Sequence, residues 1–309
     1  MPLFLTISGL VLLFISGEAL VRGSVALARR LGVSEIAVGV VLVGFGTSAP
    51  ELLVSAESAL LGHTDLALGN VIGSNIANIL LIVGSAALVT PIILKVGAGQ
   101  KEAFIVLIAT AMVVLMASFG ELRFWHGLVM VLALLGYLAL TWCCGGENTL
   151  DDDGVEEESV CSTPRALIFA VVGLAGLVLG ADLLVRGAVD IAREFGVSEA
   201  VIGVTIVAVG SSLPELAASA VAAFRGRPSV AIGNVLGSNL FNLLGALGIA
   251  AMITPVRTTG MDVTFPMSAM LALTGCFIAL VVARRIGRTI GAVFLLTYVG
   301  FIWIQFSMG

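Results

Sequence analysis

Ten stretches of the 309-residue chain stay apolar for about 18 residues or more: roughly 3–21, 35–60, 66–90, 102–119, 124–142, 165–185, 199–224, 229–253, 263–283 and 288–307. A helix needs about 20 mostly apolar residues to cross the hydrocarbon core of a bilayer. A chain built this way has few folds open to it, because backbone N–H and C=O groups inside lipid must be paired within the protein. Composition agrees: 59% of residues are apolar and 11% charged, against about 25% charged in a soluble domain. Too little polar surface exists to wet a globule. That excludes a soluble enzyme, a disordered chain and a nucleic-acid binder with a basic face. A membrane β-barrel would show short alternating segments instead. The expected class is an all-α polytopic protein with ten transmembrane helices, lying in the cell (inner) membrane with the lipid bilayer as its surroundings. No Lys or Arg precedes Arg22, so the first stretch lacks the basic start of a signal peptide and is expected to be a span.

Lys and Arg in the loops orient the spans. Eleven of the fifteen fall on one side: Arg22, Arg29, Arg30, Lys95, Lys101, Arg165, Arg225, Arg227, Arg284, Arg285 and Arg288. Arg123, Arg186, Arg193 and Arg257 fall on the other. The richer side is expected to be cytoplasmic, which puts both termini outside and the loop between spans 5 and 6 inside. That loop, 145–164, holds Asp151, Asp152, Asp153, Glu156, Glu157 and Glu158. Like-charged blocks repel and stay solvated, and the spacing does not match an EF-hand, so it is taken as an acidic linker. The four cysteines, Cys143, Cys144, Cys161 and Cys276, match no zinc spacing and suggest no disulfide framework.

The chain is internally duplicated. Residues 9–91 align without gaps to 173–255 at a constant offset of 164. Gly32-Val33-Ser34-Glu35 recurs as Gly196-Val197-Ser198-Glu199, Ser48-Ala49-Pro50-Glu51-Leu52 as Ser212-Leu213-Pro214-Glu215-Leu216, and Gly73-Ser74-Asn75 as Gly237-Ser238-Asn239. The units expected are 1–144 and 165–309, with five spans each. An odd number of spans makes the second copy enter the membrane from the opposite side. Inverted repeats of this kind typify secondary transporters, with the site at the midplane where the copies meet.

Two carboxylates lie at matching depths in spans 2 and 7, Glu51 and Glu215. Each such group costs about 2.5–3.5 kcal/mol even on insertion scales, so a pair of them points to function. Thr47 and Ser48 precede Glu51 by four and three residues and share its helical face. Ser211 and Ser212 stand likewise to Glu215. Pro50 and Pro214 lack an N–H, so the carbonyls of Gly46 and Gly210 lose their helical partners. Spans 3 and 8 add Asn70, Ser74 and Asn78, and Asn234, Ser238 and Asn242, each set spaced i, i+4, i+8 on one stripe. Every candidate ligand is an oxygen, which suits Ca²⁺ or Na⁺ rather than zinc or copper. Gly69-xxx-Gly73 and Gly233-xxx-Gly237 also favour close helix packing, and a tight cage needs close backbones.

At GTSAPEL (46–52) with GNVIGSNIAN (69–78), and GSSLPEL (210–216) with GNVLGSNLFN (233–242), the sequence resembles the sodium/calcium exchanger family of the cation/calcium antiporter superfamily. The resemblance covers nearly the whole chain. It implies that Glu51 and Glu215 are the central Ca²⁺ carboxylates, with Thr47, Ser48, Ser211 and Ser212 as side-chain or carbonyl ligands. It further implies carbonyl ligands from Gly44 and Ala208, and Na⁺ and Ca²⁺ positions completed by Ser74, Asn78, Ser238 and Asn242. Many members carry Asp where this chain has Asn242, so two acidic groups stand in the core instead of three. The implied function is secondary antiport of Ca²⁺ against Na⁺ by alternating access, with ions between spans 2, 3, 7 and 8 and spans 1 and 6 as the moving pair. A proton-driven Ca²⁺ antiporter on the same fold is the alternative.

No cofactor, nucleic acid or obligatory protein partner is expected; the partners are the transported Ca²⁺ and Na⁺ ions. An ion channel and an intramembrane enzyme are weaker rivals, and neither a Ser–His pair nor HExxH supports catalysis. Glu18–Arg22 and Asp182–Arg186 are expected to be structural i,i+4 ion pairs, and His63 and His126 surface residues.

Overall fold

The computed structural model describes residues 1–144, 162–197, 202, 208–258 and 264–308. Among them eight helices are long and apolar enough to cross a membrane, and a bent pair makes a ninth. In chain order the helices are α1 (Pro2–Leu31), α2 (Glu35–Thr47), α3 (Ala49–Leu60), α4 (Thr64–Val89), α5 (Gln100–Ala117) and α6 (Phe124–Cys144). They continue as α7 (Thr163–Glu194), α8 (Leu213–Phe224), α9 (Pro228–Ile253), α10 (Thr264–Ala283) and α11 (Arg288–Met308). The expected span 7 lies partly outside the described residues; α8 and the one-turn helix Ala208–Gly210 are its described portion. Most of the acidic linker also lies outside them.

Three expectations need correction. Span 1 does not end before Arg22: α1 runs through Arg22, Arg29 and Arg30 and stops where Gly32 turns left-handed at φ 66°. At 1.5 Å per residue its 30 residues reach about 45 Å, so the charged end projects beyond the hydrocarbon as helix. Span 6 likewise continues to Glu194 in α7. Span 2 is broken rather than merely kinked. Ser48, at φ −86° and ψ 5°, separates α2 from α3, and their axes differ by 46°. Ser212 takes nearly the same angles, φ −89° and ψ 4°, before α8. Proline fits the first turn of a helix, where its missing N–H has no intrahelical role, so Pro50 and Pro214 each start a new half-helix.

The helices sort by environment. α4 and α9 are buried over 78% and 83% of their apolar stretches, whereas α11 is buried over 11%. A helix apolar all round belongs in a core, and these two form its centre. α1 and α7 lie side by side and antiparallel: a Cβ on Gly9 would meet the backbone of Gly180 and Leu184, and one on Gly23 the backbone of Ala166 and Ala170. α2 and α9 touch as closely, with Gly39 against Gly233, and Gly44 and Val40 against Gly237. This is the close packing expected of Gly233-xxx-Gly237.

Two short antiparallel ladders tie the halves together. β1 (Ile92–Ile93) pairs with β4 (Arg285–Ile286), and β2 (Glu121–Leu122) with β3 (Val256–Arg257). β3 and β4 stand 164 residues after β1 and β2, so the duplication extends beyond the stretch that aligns most obviously. Among the described residues three π-helical turns, Gly39–Gly44 in α2, Asn78–Val83 in α4 and Phe241–Ala246 in α9, interrupt the α-helical pairing. Such turns often mark functional sites.

Gly237 tests the packing. A Cβ there would sit 2.4 Å from the Val40 carbonyl oxygen. Gly237→Ala is expected to lower stability by about 1–3 kcal/mol through overpacking, read as an earlier thermal unfolding in detergent. Gly136→Ala, with nothing within 4 Å of its Cβ, is expected to leave the transition unchanged or raise it.

Candidate functional site

The breaks at Ser48 and Ser212 place Glu51 and Glu215 in the first turns of α3 and α8. Helix N-termini present unpaired N–H groups and the positive end of the dipole, so each carboxylate sits where its charge is best tolerated. Both side chains are buried, at 1% and 2% exposure, and lie close enough for direct charge–charge interaction. The two acids, 164 residues apart, therefore share one pocket.

The hydroxyls cross over. Ser48 Oγ donates to Glu215 Oε1 at 3.2 Å, and Thr47 stands close to the Glu215 side chain. The Ser211 hydroxyl stands close to the Glu51 carboxylate. Helical spacing within one span pairs Thr47 and Ser48 with their own Glu51. The break turns that face away and delivers them to the acid of the other half. Thr47 Oγ1 also reaches Asn234 Oδ1 at 3.2 Å and the Val43 carbonyl at 3.0 Å.

The amides hold the frame. Asn70 Nδ2 donates to the Glu51 carbonyl and to Ser55 Oγ, and Asn234 Nδ2 to the Glu215 carbonyl and to Ser219 Oγ. Both asparagines thus clamp the half-helix that carries the acid. Asn78 Nδ2 donates to Asn239 Oδ1 at 2.9 Å, joining α4 to α9, and Ser238 Oγ to the Gly44 carbonyl at 3.3 Å. Ser74, Ser212 and Asn242 are buried. Ala208 lies in the one-turn helix before Ser211.

Among the described residues seven buried side-chain oxygens find no hydrogen-bond partner, and five of them belong to these carboxylates and asparagines: Glu51 Oε2, Glu215 Oε2, Asn75 Oδ1, Asn78 Oδ1 and Asn242 Oδ1. Buried polar atoms are normally paired, so this concentration of orphaned acceptors calls for a donor or a cation. No group of three or more His, Cys, Asp or Glu side chains forms a metal cluster among the described residues. A shell of carboxylate, hydroxyl, amide and carbonyl oxygens suits hard cations. Four residues of this network escape spacing arguments: Asn75, Asn239, Ser55 and Ser219. A signal for them existed, since each pair matches at the 164-residue offset.

A family model described as sodium/calcium exchanger protein matches residues 1–143 and 165–307. The chain belongs to the sodium/calcium exchanger family. This exchanger is 38% identical to the putative antiporter CaxA of Alkalimonas amylolytica, over 97% of each chain. It is 29% identical to the sodium/calcium exchanger MaX1 of Methanosarcina acetivorans, over 96% of each. Among solved structures, the sodium-calcium exchanger NCX_Mj soaked without Na⁺ or Ca²⁺ superposes with a TM-score of 0.85 at 31% identity, covering 96% of each chain. The exchanger is accordingly a multi-pass membrane protein performing cation/Ca²⁺ antiport, its substrates ions and not a cofactor.

The surroundings match expectation. Glu18–Arg22 and Asp182–Arg186 form their i,i+4 ion pairs. His63 is exposed before α4, and His126, half-buried, accepts the Arg123 N–H. The asparagine clamp carries its own test. Asn234→Ala strips the Glu215 carbonyl and Ser219 of a donor in a fully buried position, and is expected to cost about 1–3 kcal/mol. In a double-mutant cycle with Ser219→Ala by thermal melting, the two losses are expected to be less than additive.

Proposed function

We propose that this exchanger couples Ca²⁺ to Na⁺, holding either ion set in one pocket between α2, α3, α4, α8 and α9. The observation that carries this is the meeting of Glu51 and Glu215, one from each half, inside an oxygen-only shell with unpartnered acceptors. The ligand set comprises Glu51, Glu215, Thr47, Ser48, Ser211, Ser212, Ser74, Asn78, Ser238 and Asn242, with the carbonyls of Gly44 and Ala208.

Two carboxylates offset the charge of one Ca²⁺ or two Na⁺. Shared oxygens cannot hold Ca²⁺ and a full Na⁺ set together, so the ions exclude each other. A loaded, compensated pocket can cross to the other face; an empty one with two bare carboxylates cannot. If a third Na⁺ moves per Ca²⁺, the excess charge couples to voltage at about 2.3 kcal/mol per 100 mV. Asn242 puts a non-titrating amide where many family members carry an acid, which leaves Glu51 and Glu215 as the acids of the pocket. The relative MaX1 is named a sodium/calcium exchanger.

The architecture that goes with this function is ten spans in two inverted repeats, 1–144 and 165–309, joined by the acidic 145–164 linker. The antiparallel run of α1 against α7 and the cross-paired ladders support it. Those two helices are the moving pair. In the cell (inner) membrane the Lys and Arg distribution puts both termini outside and the linker in the cytoplasm.

The test is Ca²⁺ uptake into vesicles preloaded with Na⁺, with a pH gradient varied separately. Wild-type uptake is expected to follow the Na⁺ gradient and ignore the pH gradient; equal uptake without a Na⁺ gradient would overturn the coupling. Glu51→Gln and Glu215→Gln are each expected to weaken Ca²⁺ binding by about 3–5 kcal/mol, two to four decades in affinity, and to abolish uptake.

A further inference from the structure

The duplication allows the two faces of the protein to be compared residue by residue, and they differ in one respect. The loop between α8 and α9 carries Arg225-Gly226-Arg227, while its mate between α3 and α4 carries Leu61-Gly62-His63. Both loops turn through a left-handed glycine, Gly226 at φ 68° and Gly62 at φ 80°. The backbone is therefore alike and the charge is not.

The two arginines reach across to the other half. Arg225 Nε donates to Glu18 Oε2 on α1, while Glu18 Oε1 takes Arg22. Arg227 Nη1 donates to Glu35 Oε1 at the start of α2, at 2.9 Å, with both side chains nearly buried at 11% and 8% exposure. Beside these contacts Gly17 seats α1 on α8: a Cβ there would lie 3.1 Å from Val221 Cγ2 and 3.5 Å from the Ala217 carbonyl. On this face the moving pair is shut against α8.

Among the described residues, the mates of Glu18 and Gly17 are open. Asp182, the mate of Glu18, pairs with Arg186 of its own helix; both are exposed, and Leu61 offers no charge where Arg225 stands opposite Glu18. Ala181, the mate of Gly17, does not seat on α3. It lines a cavity of about 270 Å³ together with Asp182, Pro50, Pro214 and Ser211. That cavity runs from the exposed ion pair to Ser211, whose hydroxyl stands close to Glu51.

We infer that Glu18–Arg225 and Glu35–Arg227 form an ionic latch. It holds the 225–227 face closed and makes the state open at Asp182 the resting state. Because the 61–63 loop carries no matching arginines, it has no guanidinium to offer Asp182 in a closed form of the opposite face. The two half-cycles of transport are then unequal by construction, although the pocket between them is nearly symmetric. To open the 225–227 face, α1 must carry Glu18 away from Arg225. Under the loop-charge orientation the latched face is cytoplasmic. The inference rests on the antiport reading only in treating α1 and α7 as the moving pair.

Thiol labelling tests it without a transport assay. In a background with Cys143, Cys144, Cys161 and Cys276 changed to Ser, Val221→Cys reports on the latched face and Ala181→Cys on the open one. With the latch intact, a membrane-impermeant maleimide is expected to label Ala181→Cys quickly and Val221→Cys slowly. Adding Arg225→Leu, the residue present at the repeat mate, is expected to speed labelling of Val221→Cys by about tenfold and slow that of Ala181→Cys, as a population shift requires. A variant that merely loosens the fold would speed both. The charge swap Glu18→Arg with Arg225→Glu is expected to restore slow labelling at Val221→Cys. Unchanged rates on Arg225→Leu, or no recovery in the swap, would overturn the latch. Loss of Na⁺-driven uptake in the otherwise unaltered protein would instead overturn the coupling, whatever the labelling shows.

Discussion

Burying two like charges in an apolar bundle is the constraint around which this exchanger is organised. Neither Glu51 nor Glu215 has solvent to stabilise it, and each lies within reach of the other's field. Everything near them supplies compensation: half-helix N-termini behind each carboxylate, crossed hydroxyls, and asparagines that fix the helices bearing them. The breaks at Ser48 and Ser212 follow from that need, because an unbroken helix presents no N–H groups at its middle.

Rigidity and motion are divided between different helices. The core pair α4 and α9 is buried over most of its length and crosslinked through Asn78 and Asn239. It holds the amide side of the pocket still. α1 and α7 meet through glycines along an apolar seam and are longer than a bilayer requires. A helix pair joined by smooth backbone contact can slide as a unit. In the proposed latch, ion pairs at the ends bias where it rests.

Symmetry in the pocket and asymmetry at its mouths answer different demands. An antiporter must offer the same ions comparable ligands from either side, and the matched clamps of Asn70 and Asn234 do this. The environments outside are not equivalent, and neither are the loops: arginines at 225 and 227 face a leucine and a histidine at 61 and 63.

Much of this was legible in the residues alone. Hydropathy established a polytopic helical protein, because length and lack of charge are local properties. The 164-residue offset identified two equivalent halves, and oxygen chemistry at matched depths singled out Glu51, Glu215 and the GSN motifs as candidates for the site. What one dimension could not carry was which hydroxyl serves which acid. Helical periodicity assigns Thr47 and Ser48 to Glu51, and that rule fails where the helix stops and a second half arrives from the opposite direction. The same holds for the run of α1 past Arg22, since a helix ends where its hydrogen bonding ends at Gly32 and not where the lipid does. The cross-paired ladders, the Asn78–Asn239 bridge and the contacts of Arg225 and Arg227 depend on distances between residues more than 130 apart in the chain. Only tertiary packing brings such residues together, so only the three-dimensional structure decides them.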